Sequence, residues 1–352
     1  VEDVRAIVLA NSRTPRERVG DLRAQIAAHR LAEARLHELV AEHGAALIET
    51  GLDELIAYAE RRTRAAIAAL PNGRHTASAT LEGDGVTEDE LRIRVAVEID
   101  GDTLRVDFDG TDTAGPGNCN CPLAVTRSAV HFVVRCITDP DIPASEGAFA
   151  AVTIAAPEGS LVNARSPSAV AGGNVETSSR IVDAVRDAVA ATLPVTAHGQ
   201  GTMNNLTIGA PGFTYYETIG GGQGAAPGGD GPSAVHVAMS NTLNTPIEAL
   251  EVAYPLRIER YARRWGSGGA GRHCGGDGVV RVIRTLVDAE ASILSERRRH
   301  GPSGRDGGHD GAPGRNRVNG DEVPAKWRGR LTAGDVVSIE SPGGGGHGAP
   351  PA

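Results

Sequence analysis

The chain has a single lysine, four cysteines without a Cys-x-x-Cys pair, and only 3% aromatic residues among 352. The lysine, Lys326, stands in Pro324-Ala-Lys-Trp, so a Walker A loop, which needs Gly-x-x-x-x-Gly-Lys-Ser/Thr, is excluded. ATP-dependent chemistry would need another nucleotide fold or a partner. Cys119 and Cys121 form a Cys-x-Cys, Cys136 and Cys274 stand apart, and no His-x-His lies beside them, so no metal site is expected. Free, mostly buried thiols in a reducing cytoplasm are the expectation. No apolar run approaches the ~20 residues of a membrane span, and no signal peptide is visible. The chain opens on Val1 without methionine, which points to an N-terminus removed or left out. Basic residues are outnumbered: the net charge is −9 and the pI near 5.7. A nucleic-acid partner, which needs a clustered cationic surface, is not expected, and neither is a membrane.

Glycine is abundant, 46 residues or about 13% against a usual ~7%, and is concentrated after residue 198 with no collagen period. The densest functional-looking stretch is Tyr215–His236, YYETIGGGQGAAPGGDGPSAVH, which packs seven glycines with Glu217, Gln223, Asp230 and His236. Glycine lets backbone approach a ligand or another segment closely. It also marks strand bends and bulges, so a tightly packed turn is the competing reading.

In chain order, Thr14-Pro15-Arg16-Glu17 reads as a helix start with a capping box. The apolar spacing from Val19 to Val40, and again from Asp53 to Leu70, predicts two helices before Pro71-Asn72-Gly73. His29, His37 and His43 read as surface or packing residues. After Gly73 the period becomes two, in Ala77–Leu81, Leu91–Ile99 and Thr103–Phe108, with a hairpin turn at Asp100-Gly101-Asp102. Ala124–Ile137 predicts a buried helix, Ala150–Ala156 a strand, and Glu176–Leu193 a helix stopped by Pro194. Beyond Val195, glycine-rich turns alternate with short strands, among them Leu206–Ile208, Val235–Met239, Ala249–Ile258, Val279–Leu286, Ala291–Ser295 and Asp335–Glu340. The expected fold class is α+β: an N-terminal helical hairpin or arm (1–73), then a mixed, largely antiparallel β-rich core (74–352) with a few packed helices and many Gly-rich loops. That core divides into two layers, 74–194 and 195–352.

Gly266-x-Gly268-x-x-Gly271 and Gly343-x-Gly345-x-x-Gly348 satisfy the dinucleotide pattern, but neither opens a helix, so a Rossmann site is rejected. No serine or cysteine has a histidine at telling spacing. The Gly172-Gly-Asn174 segment presents backbone N–H groups at a helix start, where an anion or carboxylate would be welcome, and Glu176 in that turn either complements the dipole or faces a ligand.

Several linked motifs resemble the hydantoinase B/oxoprolinase family: NSRTPRERVGDLRAQIAA (11–28), GGNVETSSRIVDAV (172–185), GTMNN (201–205), YYETIGGGQGA (215–225), DGPSAVH (230–236), NTPIEALEVAYPL (244–256), SGGAGRHCGGDGVVR (267–281) and the terminal SPGGGGHGAP. The resemblance implies an α+β subunit of a hetero-oligomer, partnered by a hydantoinase A-type subunit that binds ATP with Mg2+. It implies ATP-dependent opening of cyclic amides such as hydantoins or 5-oxoproline. The acetone and acetophenone carboxylases share the architecture and are the alternative, and a non-catalytic scaffold is a second. The family's N-terminal block, with its Asn-Asp-Pro-Tyr, Gly-Gly-Thr-His-x-x-Asp and His-His-Ala-Asp sequences, holds a divalent metal and does not occur here, so the chain looks like the C-terminal two-thirds of the subunit. Local departures are Cys274 where Arg is usual, Leu243 in place of the Arg of Asn-Thr-Arg, and Ser303-Gly304 in place of Trp-Gly. From residue chemistry within these motifs, the candidate catalytic residues are Glu217, Asp230 and His236, to position water or hydrogen-bond a ring amide. The candidate substrate-binding residues are Asn174, Glu176, Gln223, Gly221 and Gly222, with glycine N–H groups as oxyanion donors.

Overall fold

Apolar residues at three- and four-residue spacing, with no proline between Pro15 and Pro71, make the first part of the chain helical. The computed structural model describes residues 2–12 and 14–351. Helix α1 spans Glu2–Ala10, α2 Pro15–His43 and α3 Ala45–Ala68. Pro15 occupies the first helical position, but Thr14 makes no side-chain capping bond, so the expected capping box does not form. The break between α2 and α3 is Gly44, at φ +81, a left-handed conformation that suits a residue without Cβ. The two helices meet there and do not pack along their lengths. No residue of α2 is buried, and α3 buries only Ala59, Thr63 and Ile67. The apolar stripe expected to close a hairpin therefore faces outward, and the region is an arm rooted at its C-terminal end, where Thr63 Oγ1 donates to Ala148 O at 3.1 Å.

The period-two segments pair as expected. Strands β1 (Gly73–Leu81), β2 (Leu91–Asp100) and β3 (Thr103–Asp107) form an antiparallel meander. After helix α4 (Leu123–Ile137), strand β4 (Val152–Ala155) joins β3 in parallel. Helix α5 (Ser178–Val189) packs on β1 and β2, with α4 packed on α5. Ile181, Val182, Ala184 and Val185 of α5 are buried with Ile93, Val95 and Val106 of the sheet and Val130 and Val133 of α4. Full burial of each larger side chain contributes about 1.5–3 kcal/mol.

The second half contains β5 (Asn205–Ala210), β6 (Phe213–Glu217), α6 (Ile247–Ala253), β7 (Leu256–Arg264), β8 (Gly278–Thr285), β9 (Ala289–Leu294), β10 (Arg315–Val318), β11 (Asp321–Val323), β12 (Lys326–Leu331) and β13 (Val336–Glu340). They form sheets ordered β11-β10-β13-β8-β7 and β12-β9-β5-β6, with a shared core that includes Leu206, Ile208, Ile283, Ile293 and Ile339. Expected strands differ in two places. Residues 247–253 are helical, begun after Pro246 at the cap. Val235–Met239 forms no strand and meets only Gly221 in an isolated bridge. Cys119 and Cys121 are buried, but Cys136 and Cys274 are exposed, so the thiols are not mostly buried.

Between the sheets and α5 lies a bundle of glycine segments that is neither helix nor sheet. Gly276 N donates to Gln223 O at 2.9 Å, Gly344 N to Gly276 O at 2.8 Å, Gly222 N to Pro342 O at 3.0 Å and Gly345 N to His198 O at 2.8 Å. A Cβ on Gly276 would overlap the carbonyl oxygen of Pro232. Glycine is required here because backbone packs on backbone.

Candidate active site

The clearest concentration of perturbed ionisable groups lies at the N-terminal end of α5. The chain enters α5 through one turn of π-helix, Gly173–Thr177, an irregularity often found where a helix serves a site. A Cβ on Gly173 would overlap the carbonyl of Asn120; its absence lets the turn press against the loop before α4. The turn drives Glu176 wholly inside the protein. Its Oε1 accepts from Met203 N at 3.4 Å and from Asn205 Nδ2 at 3.3 Å, while Oε2 is buried without a partner. Burial, reinforced by the nearby Glu296 charge and opposed by Thr202, Lys326 and Arg298, pushes its pKa up to about 8. At that value Glu176 is predominantly the neutral carboxylic acid at pH 7.

Around it, the buried Glu296 is ion-paired with Lys326 and accepts Glu82 N at 3.2 and 3.1 Å. The Glu82 carboxylate accepts the backbone N–H groups of Arg298 at 2.7 Å, Arg299 at 3.0 Å and His300 at 2.9 Å. Burial raises the Glu82 pKa, but the three N–H bonds and the Lys326 charge outweigh it, and the net shift is downward. For Lys326, burial favours the neutral amine and the Glu296 charge opposes it; the ammonium prevails. Arg298 donates to Asn204 Oδ1 at 2.9 Å and to Asn316 Oδ1 at 2.8 Å.

This cluster underlies a cleft of about 560 Å3 bordered by Val175, Asn205, Tyr216, Lys326, Trp327 and Asp84. Asp84 ties one wall together: its carboxylate accepts from Gly117 N at 2.7 Å and from Val86 N and Thr87 N at 2.9 and 2.8 Å. On the opposite wall Tyr216 donates to Asn205 Oδ1 at 2.6 Å. Tyr216, Asn205 and Glu176 thus form a hydrogen-bonded line from the cleft to the buried acid. Such an arrangement can hold an amide or carbonyl between a phenol, a carboxamide and an ammonium.

The residues singled out from sequence are dispersed. Glu176 lies beneath this cleft, and Asn174, two residues earlier in the same turn, is exposed. Glu217, adjacent to Tyr216 on β6, points the other way, as strand alternation requires. It is buried against Arg281 at 3.1 and 3.2 Å and accepts from Asn244 Nδ2 at 2.8 Å. His236 bonds Ser240 and Thr242 at 3.2 Å, and burial lowers its pKa. Asp230 is exposed and accepts Cys274 N at 2.8 Å. Gly221 and Gly222 sit in the glycine bundle, and Gln223 borders a different cavity. Glu217, Asp230 and His236 border neither cavity. Sequence reasoning missed Tyr216, Asn205, Glu296 and Lys326. Strand alternation could have separated Tyr216 from Glu217, and the solitary lysine was itself a signal.

Two groups implied by the resemblance find no fit here. Among the described residues no group of three His, Cys, Asp or Glu could hold a metal ion; the Glu82–Glu296 carboxylates already have the Lys326 ammonium beside them. Nucleotide phosphates need free backbone N–H groups. In the glycine-rich patterns those of Gly268, Gly269, Gly343, Gly345 and Gly348 are bonded to Asp277, Gly344, Ala312, His198 and Arg305. Burial also pushes the Cys119 and Cys121 thiols up to about 12 and about 11, away from nucleophile chemistry. Among the described residues no helix is long and apolar enough to cross a membrane.

Comparison with known proteins places the chain among relatives of stated kind. The chain is 38% identical to 5-oxoprolinase 1 of Arabidopsis thaliana over 97% of its own length and 28% of that protein. It is 31% identical to the candidate B component of a D-/L-hydantoinase from Pseudomonas sp. (strain NS671), over 98% of this chain and 62% of the relative. It thus spans less than two thirds of either curated relative. The crystal structure of the ATP-dependent caprolactamase from Pseudomonas jessenii superposes with a TM-score of 0.89 at 26% identity, over 99% of this chain and 64% of that one. Nucleotide-free acetone carboxylase shares the fold, with a TM-score of 0.81 at 18% identity over 99% of this chain and 55% of that one. Residues 1–350 match the hydantoinase B/oxoprolinase family, and the chain belongs to that family.

Proposed function

We infer that this chain is the B-type part of an ATP-dependent cyclic-amide hydrolase that opens hydantoin or 5-oxoproline-like rings, with ATP and Mg2+ held by an A-type partner in a cytoplasmic hetero-oligomer. Family membership and the names of its relatives support the reaction class. The observation that carries the site is the neutral carboxyl of Glu176, lodged behind Asn205 and Tyr216 beneath the cleft. In this reading the Lys326 ammonium receives the ring carbonyl, and the Tyr216 oxygen, whose own proton goes to Asn205 Oδ1, accepts the ring N–H. Glu176 stays uncharged, so that it adds no further negative charge against a developing oxyanion. ATP supplies the activation of the carbonyl oxygen; none of the groups described here binds it.

The test is turnover of hydantoin, 5-oxoproline and caprolactam by the chain combined with an A-type partner, ATP and Mg2+. It is run with the 352-residue chain and with the same chain carrying the additional region of its longer relatives. Ring-opened product should form together with ADP, and Tyr216→Phe should lower kcat/KM by about tenfold, the scale of one lost hydrogen bond. Bicarbonate-dependent consumption of a ketone would overturn the hydrolase reading in favour of a carboxylase. Turnover unaffected by Tyr216→Phe and Glu176→Gln would remove the cleft from the chemistry. No turnover in either form would leave the chain a scaffold.

A further inference from the structure

Between α4, α5 and the glycine bundle lies a cavity of about 420 Å3. Phe132, Val133, Val182, Leu193 and Val237 make most of its wall apolar. The charged residues of the wall are Asp183 and Arg186, and they are paired with each other. Arg186 Nη2 donates to Asp183 Oδ1 at 2.7 Å and Nη1 to Thr196 Oγ1 at 3.3 Å. The second Asp183 oxygen takes Arg180 at 2.8 Å and Arg297 at 2.9 Å, and the Arg186 Nε is closed off by burial. The wall therefore offers an occupant no free charge of either sign.

Neutral polar groups of the same wall remain without partners. Ser179, in the first turn of α5, is only 2% exposed, and among the described residues its hydroxyl makes no hydrogen bond; the little of the residue that stays accessible opens on this cavity. Thr196 accepts from Arg186 and keeps its own proton to donate. Gln223 is held by its backbone, its N–H bonded to Pro232 O at 3.0 Å and its C=O to Gly276 N at 2.9 Å. Its carboxamide makes no hydrogen bond among the described residues. The Oε1 atom lies against Gly199, another residue of the wall, where an added Cβ would stand 3.2 Å from it. Buried polar groups are almost always satisfied, so a hydroxyl this deeply set and left unbonded points to a further group inside the cavity.

We propose that this cavity binds a small uncharged aliphatic amide whose N–H and C=O lie on one edge, a primary amide or a lactam, paired with the Gln223 carboxamide and seated against the apolar walls. A primary carboxamide carries one acceptor and one donor side by side, and that edge is complementary to another amide edge with the two reversed. The Ser179 or Thr196 hydroxyl can serve the second lone pair of the bound carbonyl. An anion would find no free cation here, and a pure hydrocarbon would leave these groups unsatisfied. The volume suits a small organic molecule. The cavity shares no lining residue with the Tyr216–Lys326 cleft, so occupancy is independent of the reaction assigned to that cleft and is read without ATP, partner or turnover.

Cys136 supplies the readout, because its exposed thiol lines this cavity, while Cys274, exposed elsewhere, is a control in the same molecule. The rate at which methyl methanethiosulfonate modifies each thiol of the 352-residue chain is followed by peptide mass spectrometry against rising hexanamide, caprolactam, N-methylcaprolactam or hexanoate. Hexanamide and caprolactam should protect Cys136 saturably, slowing its modification about tenfold or more, and leave Cys274 unchanged. Half-protection should need about tenfold more N-methylcaprolactam, which has lost the N–H, and at least as much more hexanoate, whose charge must be desolvated without a partner. Gln223→Leu, which keeps the backbone bonds, should abolish the preference for caprolactam over its N-methyl form. Equal protection by those two lactams, a preference that persists in Gln223→Leu, or strongest protection by hexanoate would each overturn the proposal. Protection by none of the four would do so as well and leave the cavity to water. If Gln223→Leu does not fold, as judged by thermal unfolding, the order of the four compounds on the unmodified chain still decides it.

Discussion

The two ionic clusters around α5, one at its entry and one along its length, solve the burial of charge in opposite ways. At the N-terminal end the surplus would be negative, with Glu82, Glu176 and Glu296 facing Lys326 and Arg298. It is removed because one carboxyl, Glu176, keeps its proton. Along α5 itself Asp183 pairs with Arg180, Arg186 and Arg297, and Asp187 with Arg305 and His198; the surplus there is positive, and no arginine can neutralise itself, because a guanidinium holds its proton under all relevant conditions. Even Arg297, where burial and then repulsion from Arg180 lower the pKa to about 10, stays charged at pH 7. A buried acid can adjust by protonation, whereas a buried arginine must be given an anion.

That contrast can be broken most severely at Asp183. Replacing it by Asn strips one shared carboxylate from three buried guanidiniums, and a loss of at least about 3–5 kcal/mol is expected, read as a fall in the urea midpoint. Lys326→Met should cost less, about 2–3 kcal/mol by the same measurement, because the Glu296 it abandons can take up a proton as Glu176 does.

The pH dependence should separate the two clusters next. Glu176 has a folded pKa raised to about 8 from an ordinary value of 4.5. The folded state therefore binds the extra proton, and this group's contribution to stability declines as pH rises from about 4.5 to about 8, with a slope approaching about 1.4 kcal/mol per pH unit. Glu176→Gln should flatten that decline in unfolding free energies measured across the range. Asp183 runs the other way. Burial alone would raise its pKa, but Arg180, His198, Arg186 and Arg297 drive it far below the usual carboxylate range. Its stabilisation is complete above about pH 4 and is lost only on further acidification. A wild-type profile with no loss of stability between pH 5 and 8 would contradict the assignment at Glu176. The smallest effect is expected from Arg305→Gln, within about 1 kcal/mol of wild type by thermal unfolding, since Asp187 keeps His198 and the cluster loses a cation it holds in excess.

Local patterns were legible where neighbours in sequence decide structure. The alternation of LRIRVAVEI became β2, the apolar spacing of Val182, Val185 and Val189 became the buried face of α5, and the linked motifs led to the family. The site was much less legible. Its groups come from residues 82, 176, 205, 216, 296 and 326, brought together by two sheets and the turn that enters α5, so no spacing announces them. Glu217 drew notice as an acid in a glycine-rich stretch, but its surroundings are fixed by Arg281, 64 residues later. Glycine density was ambiguous in the same way. From sequence it suggests a cradle for a ligand, whereas here the N–H groups are used by other strands of the same bundle.

The bundle also makes this protein deceptive to spectroscopy. Most of residues 218–246, 265–277 and 297–314 would register in far-ultraviolet circular dichroism as coil, since they lie outside helix and sheet. Yet the amide protons of Gly222, Gly276, Gly344 and Gly345 are locked in backbone bonds at the centre of the molecule. In deuterium exchange they should be among the last to open, at the free energy of global unfolding, so that the part of the chain that looks least ordered by one method would prove the slowest to exchange by another.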